Sequence, residues 1–197
     1  GMSSAASDVY KRQILYISSM KKLMYRKSWF DEASPLELLY SINFYIMTGT
    51  TSYTWHQFST ISKEQLYDVL NLRQRVFIIE QDCFYEDIDY FDQKAHHLLA
   101  YKDERLIGYA RVFPPGIKYD SASIGRIVVD IECRGKDYGK EITNQSIEYI
   151  KINFPDSNIA ISAQFRLHDF YSNLGFKKKG EVYFCLLYTS DAADDIP

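Results

Sequence analysis

A stretch of basic residues and glycines, CRGKDYGK, lies between a β-like run and a helix-like run of the sequence. It carries Arg134, Lys136 and Lys140 together with Gly135 and Gly139. At the start of a helix the backbone N–H groups are free to donate, and the helix dipole and basic side chains attract negative charge. The spacing fits neither a P-loop nor a G-x-G-x-x-G dinucleotide turn. The stretch therefore predicts an anion-binding turn for phosphate, and the alternative is an ordinary turn with solvated basic side chains.

Asp137 stands in the middle of this turn, where an anion-binding loop would be expected to have glycine. Aspartate is among the few residues that tolerate the left-handed conformation that glycine provides. We expect its carboxylate to point away from the phosphate or to cap the following helix. Asp137 should then lower the affinity for phosphate without abolishing the site.

The elements that position this turn follow from the spacing of apolar residues. Alternating runs predict strands, and helical spacing with start and stop signals predicts helices. The predicted order is strand 53–58, helix 63–79, strands 97–101, 105–113 and 123–130, the turn, helix 138–153, strand 159–163, helix 167–174 and a last strand. This order indicates an α/β fold of the α+β type, in which a mainly antiparallel meander feeds a βαβ-like second half.

Two local signals support the predicted helices. Ser62 and Gln65 have the spacing of a capping box at the start of the first helix. Gly175 is a stop signal for the last helix. The apolar stripe before it comprises Leu167, Phe170, Tyr171 and Leu174.

Composition limits the classes of function. The 197 residues, 46% of them hydrophobic, are enough for roughly one packed domain. The net charge of −3 provides no global basic field, so nucleic acid is not an expected partner. The three cysteines form no C-x-x-C pair, which favours a reducing cytoplasmic setting and no zinc site. The longest uncharged run, 38–55, is too polar for a membrane span.

Both ends of the chain differ from its middle. Gly1 precedes Met2, and the stretches SAASDVYKRQ and CLLYTSDAADD resemble translated sequencing-adapter reads. We therefore expect 1–46 to be a non-native or poorly conserved extension and 185–197 to be a non-native tail. The working domain is predicted to span 47–184.

Several motifs follow one another between about residues 55 and 183. Arg134 and Gly139 fit the pattern R-x-x-G-x-G, with Asp137 in place of its first glycine, and YSNLGF at 171–176 fits Y-x-x-x-G-F. The match is extended by LRQRVF at 72–77, EQDC at 80–83, AHH at 95–97, IGRIVV at 124–129 and AQ at 163–164. On these motifs the sequence resembles the GNAT superfamily of acetyl-CoA-dependent N-acetyltransferases, and within it the ElaA-type family.

The resemblance implies a GNAT-like fold, with a central mixed, mostly antiparallel twisted sheet flanked by helices. It implies that acetyl-CoA is the co-substrate, without a metal, and that an amine-bearing molecule is the acceptor. The acetyl and pantetheine arm would lie along Ile127, Val128 and Val129. The pyrophosphate would be held by the turn, which comprises Arg134, Gly135, Lys136, Asp137, Tyr138, Gly139 and Lys140.

The resemblance also assigns the proton transfers. Tyr171 falls on the position that protonates the leaving thiolate. The attacking amine must be neutral although a free alkylamine has a pKa of about 10, so a base or a water wire must accept a proton. Glu80 is the first candidate base, and His97 and Asp130 follow.

Each of these residues also has a structural interpretation. Tyr171 lies on an apolar stripe and would serve as a core tyrosine with a satisfied hydroxyl. Glu80 would cap a helix or pair with Arg73 or Arg75, and His97 would be a packed histidine at the start of a strand. Cys133 is interpreted as a packing residue, because no neighbouring histidine activates it.

The acidic segment 86–92 has two interpretations. It lacks the glycine and terminal glutamate of a calcium loop, so a metal site is not predicted. It is either a solvated loop or a rim of the acceptor site that attracts a cationic amine.

Two functions compete at this point. The first is transfer of an acetyl group from acetyl-CoA to a primary amine of a small molecule or protein by direct attack. The alternative is a non-catalytic acyl-CoA-binding or sensor module with the same fold, motivated by Asp137 and by the C-terminal end. After Tyr183 the chain departs from the ElaA-type pattern, which continues with another strand, so the sheet edge is expected to be imperfect.

Overall fold

A seven-stranded sheet forms the centre of the protein in a computed structural model that describes residues 11–17 and 51–184. The strands are β1 Lys11–Ile17, β2 Thr51–Gln57, β3 His96–Lys102, β4 Arg105–Phe113, β5 Ala122–Val129, β6 Ile159–Gln164 and β7 Lys177–Phe184. Their order across the sheet is β2-β3-β4-β5-β6-β1-β7. The β5–β6 pair is parallel, and the other neighbouring pairs are antiparallel. The predicted mixed, mostly antiparallel sheet is therefore confirmed.

Strand β1 lies between β6 and β7 and pairs with both. Its Leu15 is opposite Ile161 on β6 and opposite Lys178 on β7. This strand belongs to the segment that the sequence assigns to an N-terminal extension. The domain limits of 47 and 184 stay a prediction, and residues 1–10, 18–50 and 185–197 lie outside the described residues.

Among the residues that the structure describes, three α-helices flank the sheet. They are α1 Lys63–Arg73, α2 Tyr138–Asn153 and α3 His168–Asn173. Helix α1 continues directly into a π-helical turn, Gln74–Glu80, and α3 follows a 3₁₀ turn, Phe165–Leu167. Further 3₁₀ turns are Asp92–Lys94 and Ile131–Cys133. None of the helices within the described residues has the length and apolarity needed to cross a bilayer.

The first predicted helix differs from the structure in its second half. The α-helix ends at Arg73, and residues up to Glu80 form the wider π-helical turn. Val76 within that turn remains buried, so the apolar periodicity continues and does not distinguish the two helix types. The predicted capping box is confirmed, since Ser62 Oγ accepts from the Gln65 N–H at 3.1 Å and Gln65 Oε1 accepts from the Ser62 N–H at 3.0 Å.

The two faces of the sheet carry separate cores because helices cover both. Helix α1 packs Val69 and Leu72 with Leu99, whereas α2 belongs to the cluster that contains Leu98. Neighbouring residues on a strand point to opposite faces, so both leucines of β3 are fully buried. The β3–β4 connection is the predicted tight turn, with positive φ at Asp103 and Glu104.

Candidate active site

Strands β5 and β6 diverge and open a cleft of about 540 Å³. They pair only from Ala122 opposite Ile159 to Ile124 opposite Ile161. Beyond these pairs the two strands line the opposite walls of the cleft. Within the described residues the backbone of β5 on this side has no strand partner, which makes it available to hydrogen bond with an extended ligand.

A β-bulge interrupts the pairing of β5 with β4 at the part of β5 that lines the cleft. Tyr109 on β4 is opposite Val128 and Arg111 is opposite Gly125, so β5 contains one more residue between these pairs than β4. Arg126 in the bulge has a φ of 53°, in the left-handed region that a non-glycine residue rarely adopts. The predicted residues Ile127, Val128 and Val129 follow the bulge and line the cleft.

The side chain of Arg126 is anchored away from the strand. Its Nε donates to Asp87 Oδ1 at 2.6 Å, and its guanidinium lies 5.4 Å from the centre of the Tyr85 ring. The backbone carbonyl of Asp87 accepts a further hydrogen bond from Arg126 at 3.3 Å. These contacts hold the bulge against the segment that follows the π-helical turn.

The turn between β5 and α2 has the geometry of an anion cradle. Gly135 and Asp137 both have positive φ, 76° and 58°, and α2 begins directly afterwards. The Glu141 N–H donates to the Asp137 carbonyl at 3.0 Å, so the amides of 138–140 precede the first intrahelical bond. Of the seven predicted turn residues, all but Lys136 line the cleft.

Asp137 adopts the left-handed conformation that the sequence predicts. Its φ and ψ are 58° and 5°, and its side chain forms no capping hydrogen bond with α2. The first amides of the helix are therefore not occupied by this carboxylate. The preference of aspartate for this conformation explains how the turn forms without glycine at this position.

Tyr171 lines the same cleft and is positioned by the end of α3. The Phe176 N–H donates to the Tyr171 carbonyl at 3.1 Å, and the Gly175 N–H donates to the Ser172 carbonyl at 3.0 Å. This is a Schellman motif, in which Gly175 supplies the positive φ of 90°. The rings of Phe170 and Phe176 are edge-on to the Tyr171 ring, with distances of 5.0 and 5.8 Å between ring centroids. The Y-x-x-x-G-F pattern thus fixes the tyrosine in the cleft wall.

The comparison with known families decides the class of protein. Residues 57–184 match the family described as Acetyltransferase (GNAT) domain. The chain belongs to the GNAT acetyltransferase family. The ElaA protein of Escherichia coli is 35% identical to it over 127 residues, which are 64% of this chain and 83% of ElaA.

Solved structures show the same fold as this GNAT domain. The crystal structure of E. coli ElaA has a TM-score of 0.65 and 33% identity, covering 68% of this chain and 92% of that one. An acyl-CoA N-acyltransferase of Pseudomonas aeruginosa also has a TM-score of 0.65, with 30% identity and coverage of 68% and 93%. A Clostridium acetobutylicum acetyltransferase solved with acetyl-CoA has a TM-score of 0.51 and 16% identity, covering 72% and 99%.

Glu80 lies in the GNAT cleft at the end of the π-helical turn and forms an ion pair with Arg134. Arg134 donates to both carboxylate oxygens, Nη1 to Oε1 at 2.6 Å and Nη2 to Oε2 at 2.7 Å. The hydrogen bond to Glu80 raises the pKa of Arg134. The sequence offered an ion pair as the alternative for Glu80, and the structure shows one, but the partner is Arg134 and not Arg73 or Arg75.

The structure does not bring His97 to the GNAT cleft. The side chain is fully buried, and its Nε2 donates to the Asp92 carbonyl at 3.0 Å. Since a carbonyl only accepts, Nδ1 accepts from the Tyr109 hydroxyl at 2.7 Å. Burial lowers the pKa of His97 to about 4. The position of His97 fits the packed histidine that the sequence offers as an alternative.

Asp130 is buried where β5 ends, outside the lining of the cleft. It accepts hydrogen bonds from Arg75 at 2.8 Å and from Arg105 at 3.0 Å. Burial raises the pKa of Asp130, but the hydrogen bonds, chiefly that from Arg75, outweigh this effect and the pKa lies below its ordinary value. A carboxylate held ionised in this way is a weak base.

The aspartates of the acidic segment 86–92 are bound by arginines of the protein, whereas Glu86 is exposed. Asp92 is buried and accepts from Arg73 at 2.9 Å and from Arg111 at 2.7 Å. Asp89 accepts two hydrogen bonds from Arg111, at 2.7 and 2.8 Å. Burial raises the pKa of Asp92, but the charges of Arg73 and Arg111 outweigh it, and the pKa lies below its usual range.

Asp87 connects this ionic cluster with the β-bulge. It accepts from the buried Arg73 at 2.8 Å and from Arg126 at 2.6 Å. The aspartates of the segment therefore neutralise arginines of the protein and do not form a free acidic rim for a cationic amine. No group of acidic, histidine and cysteine side chains suited to a metal ion occurs in the described parts of the chain.

The sequence analysis did not predict the β-bulge in β5 or the buried ion pairs of Arg73 and Arg111. A glycine and an arginine interrupt the β-like run 123–130, and this interruption is a signal for a bulge at Gly125–Arg126. Arg73 and Arg111 occupy positions at which the apolar pattern expects core residues. A charge at such a position requires a buried partner, which indicates that carboxylates from elsewhere must pack against it.

Proposed function

We propose that the chain transfers an acetyl group from acetyl-CoA to a primary amine of a small molecule or protein. The observation that carries this proposal is that the phosphate turn, the free edge of β5 and Tyr171 line one cleft. Membership of the GNAT family supports the reaction class, and the fold neighbour solved with acetyl-CoA supports the co-substrate. The proposed setting is the cytoplasm.

The residues of the cleft fit acetyl-CoA in two respects. The amides of 138–140, which precede the first intrahelical bond, would donate to the pyrophosphate, and Lys140 would add a positive charge. The pantetheine amides would pair with the backbone of Ile127–Val129, which diverges from β6 and has no strand partner on that side in the described part of the chain. This arrangement would bring the thioester toward Tyr171.

The reaction is a direct displacement. The lone pair of the neutral amine attacks the thioester carbonyl carbon, a C–N bond forms, and the C–S bond breaks. Tyr171 donates its hydroxyl proton to the leaving thiolate, and the amine loses one proton to a base. Tyr171 then regains a proton from solvent.

Glu80 is the proposed proton acceptor, acting directly or through one water. Both of its oxygens already accept hydrogen bonds from Arg134. Acceptance of a proton therefore requires that these bonds lengthen, which occurs if the Arg134 guanidinium turns toward the bound pyrophosphate. The order of events would then be co-substrate first and amine second.

Two measurements on the full chain test the proposal. Isothermal titration should show binding of acetyl-CoA, and release of free CoA thiol should be steady when a panel of primary amines is added. Absence of acetyl-CoA binding to the folded protein contradicts the proposal. Tight binding with no thiol release from any amine supports the sensor module instead.

A further inference from the structure

A chain of hydrogen bonds connects three polar side chains that line the cleft. Arg166 Nε donates to Gln164 Oε1 at 2.8 Å, and Gln164 Nε2 donates to Gln81 Oε1 at 2.7 Å. Gln164 is the last residue of β6 and is 6% exposed, whereas Gln81 directly follows the π-helical turn. The chain therefore ties the end of one cleft wall to the segment that carries Glu80.

The direction of these bonds determines what the chain offers to a ligand. Both amide oxygens already accept a hydrogen bond within the chain. The remaining polar groups are N–H donors on the two terminal nitrogens of Arg166 and on Gln81 Nε2. Within the described ranges these nitrogens have no hydrogen-bond partner. Such a donor-only surface with one positive charge matches an oxyanion, and a guanidinium matches a carboxylate in particular.

No acidic side chain offsets this positive charge among the described residues. Arg166 forms no ion pair there, in contrast to Arg134, which is paired with Glu80. The other carboxylate of the cleft, Asp137, belongs to the phosphate turn. The aspartates of the segment 86–92 are bound by buried arginines. A second cationic group on the acceptor would therefore find no partner at this end of the cleft.

We propose that the acceptor is a small amino carboxylate, whose carboxylate binds Arg166 and the Gln81 amide while its amine attacks the thioester. This inference rests on the proposed acetyl transfer and narrows its substrate class. It favours amino acids and related compounds over polyamines and over the lysine side chains of basic proteins. Gln164 acts as a positioning residue, since its amide orients both donors.

Matched pairs of acceptors test the proposal. Glycine is compared with glycinamide, and β-alanine with β-alaninamide, at equal concentrations of the neutral amine, because the amide group also lowers the pKa of the amine. We expect kcat/KM for thiol release to be at least about tenfold higher for the carboxylate, as for a hydrogen-bonded charged pair. Arg166→Gln should bring the ratio close to one, and Arg166→Lys should retain part of it. Lys151→Gln removes a positive charge that does not line the cleft and should leave the ratio unchanged.

Binding measurements separate failure of this inference from failure of the proposed function. Titration of N-acetylglycine and of its amide into the protein reports the carboxylate site without requiring turnover. Steady thiol release with equal rates for both members of each pair retains acetyl transfer and overturns the amino-carboxylate assignment. A third outcome is carboxylate-selective binding that Arg166→Gln abolishes, with no thiol release. This result supports the anion site but contradicts the proposed acetyl transfer. Equal binding of acid and amide, with no turnover, overturns both.

Discussion

Arg134 binds Glu80 with a two-pronged ion pair, at 2.6 and 2.7 Å, that joins the phosphate turn to the end of the π-helical turn. The pair connects residues that are 54 positions apart and links the two parts of the site that bind the pyrophosphate and accept the proton in the proposed reaction. The side chains are 40% and 30% exposed, so the pair can exchange partners when an anion enters.

Glu80→Gln tests whether the carboxylate is the base. Glutamine still accepts a hydrogen bond from Arg134 but cannot take a proton at neutral pH. We expect kcat to fall by roughly a hundredfold, the usual contribution of a general base, and the affinity for acetyl-CoA to change little. Steady-state kinetics and titration calorimetry measure the two quantities. A variant as active as the parent would show that water alone accepts the proton.

Tyr171→Phe tests the general acid. Phenylalanine keeps the edge-on contacts with Phe170 and Phe176, so the cleft wall and the acetyl-CoA affinity should be retained. The proton donor is lost, and we expect turnover to fall by about tenfold or more. Tyr67→Phe, on a largely exposed tyrosine of α1, serves as the control. Unchanged turnover in Tyr171→Phe would leave the residue as a core tyrosine.

Asp137→Gly should tighten CoA binding. Glycine adopts the left-handed φ of this position without a steric cost, and the substitution removes a negative charge from the phosphate turn. Asp137→Ala removes the same charge but costs about 1 kcal/mol in that conformation, so its gain should be smaller. Titration calorimetry of CoA with the three proteins gives the order. Weaker binding by the glycine variant would mean that the carboxylate shapes the turn.

Arg126→Gly tests whether the β-bulge is held in place by its backbone conformation or by the hydrogen bonds of the Arg126 side chain. Glycine favours the φ of 53°, but the bonds from Arg126 to Asp87 are lost. We expect acetyl-CoA affinity to fall several-fold because the edge of β5 is no longer held in position. Arg126→Ala loses the anchor and also strains the backbone, so it should bind more weakly still. Parental affinity in the glycine variant would show that the backbone alone sets the bulge.

Local signals predicted much of this fold. Ser62 and Gln65 are three positions apart, and helix α2 has the bounds of the predicted run 138–153, because both depend on residues close in sequence. The left-handed turn at Asp137 is likewise a property of one residue and its neighbours. Such features depend on neighbouring residues and not on which distant segments pack against them, so the sequence alone predicts them.

The ionic contacts of the site were not predictable in the same way. Arg73 reaches Asp92 over 19 positions, and Glu80 reaches Arg134 over 54. Several carboxylates in the sequence could pair with each arginine. The packing of α1 and the π-helical turn determines which of them lies within hydrogen-bond distance. This is why the acidic segment looked solvated and why Glu80 was expected to pair nearby.

The buried His97 should make folding stability depend on pH. Its pKa is about 4 in the folded protein and about 6.5 when unfolded, so the unfolded chain binds the proton first as the pH falls. Stability is therefore lost between about pH 6.5 and pH 4, by about 3 kcal/mol. The lowered pKa values of Asp89 and Asp92 add a second loss below about pH 4.

Urea unfolding midpoints from pH 8 to pH 4 measure the loss of stability that is due to His97. His97→Gln should be less stable at pH 8 but should lose less stability on acidification, and an equal loss in both proteins would assign the pH dependence to other groups.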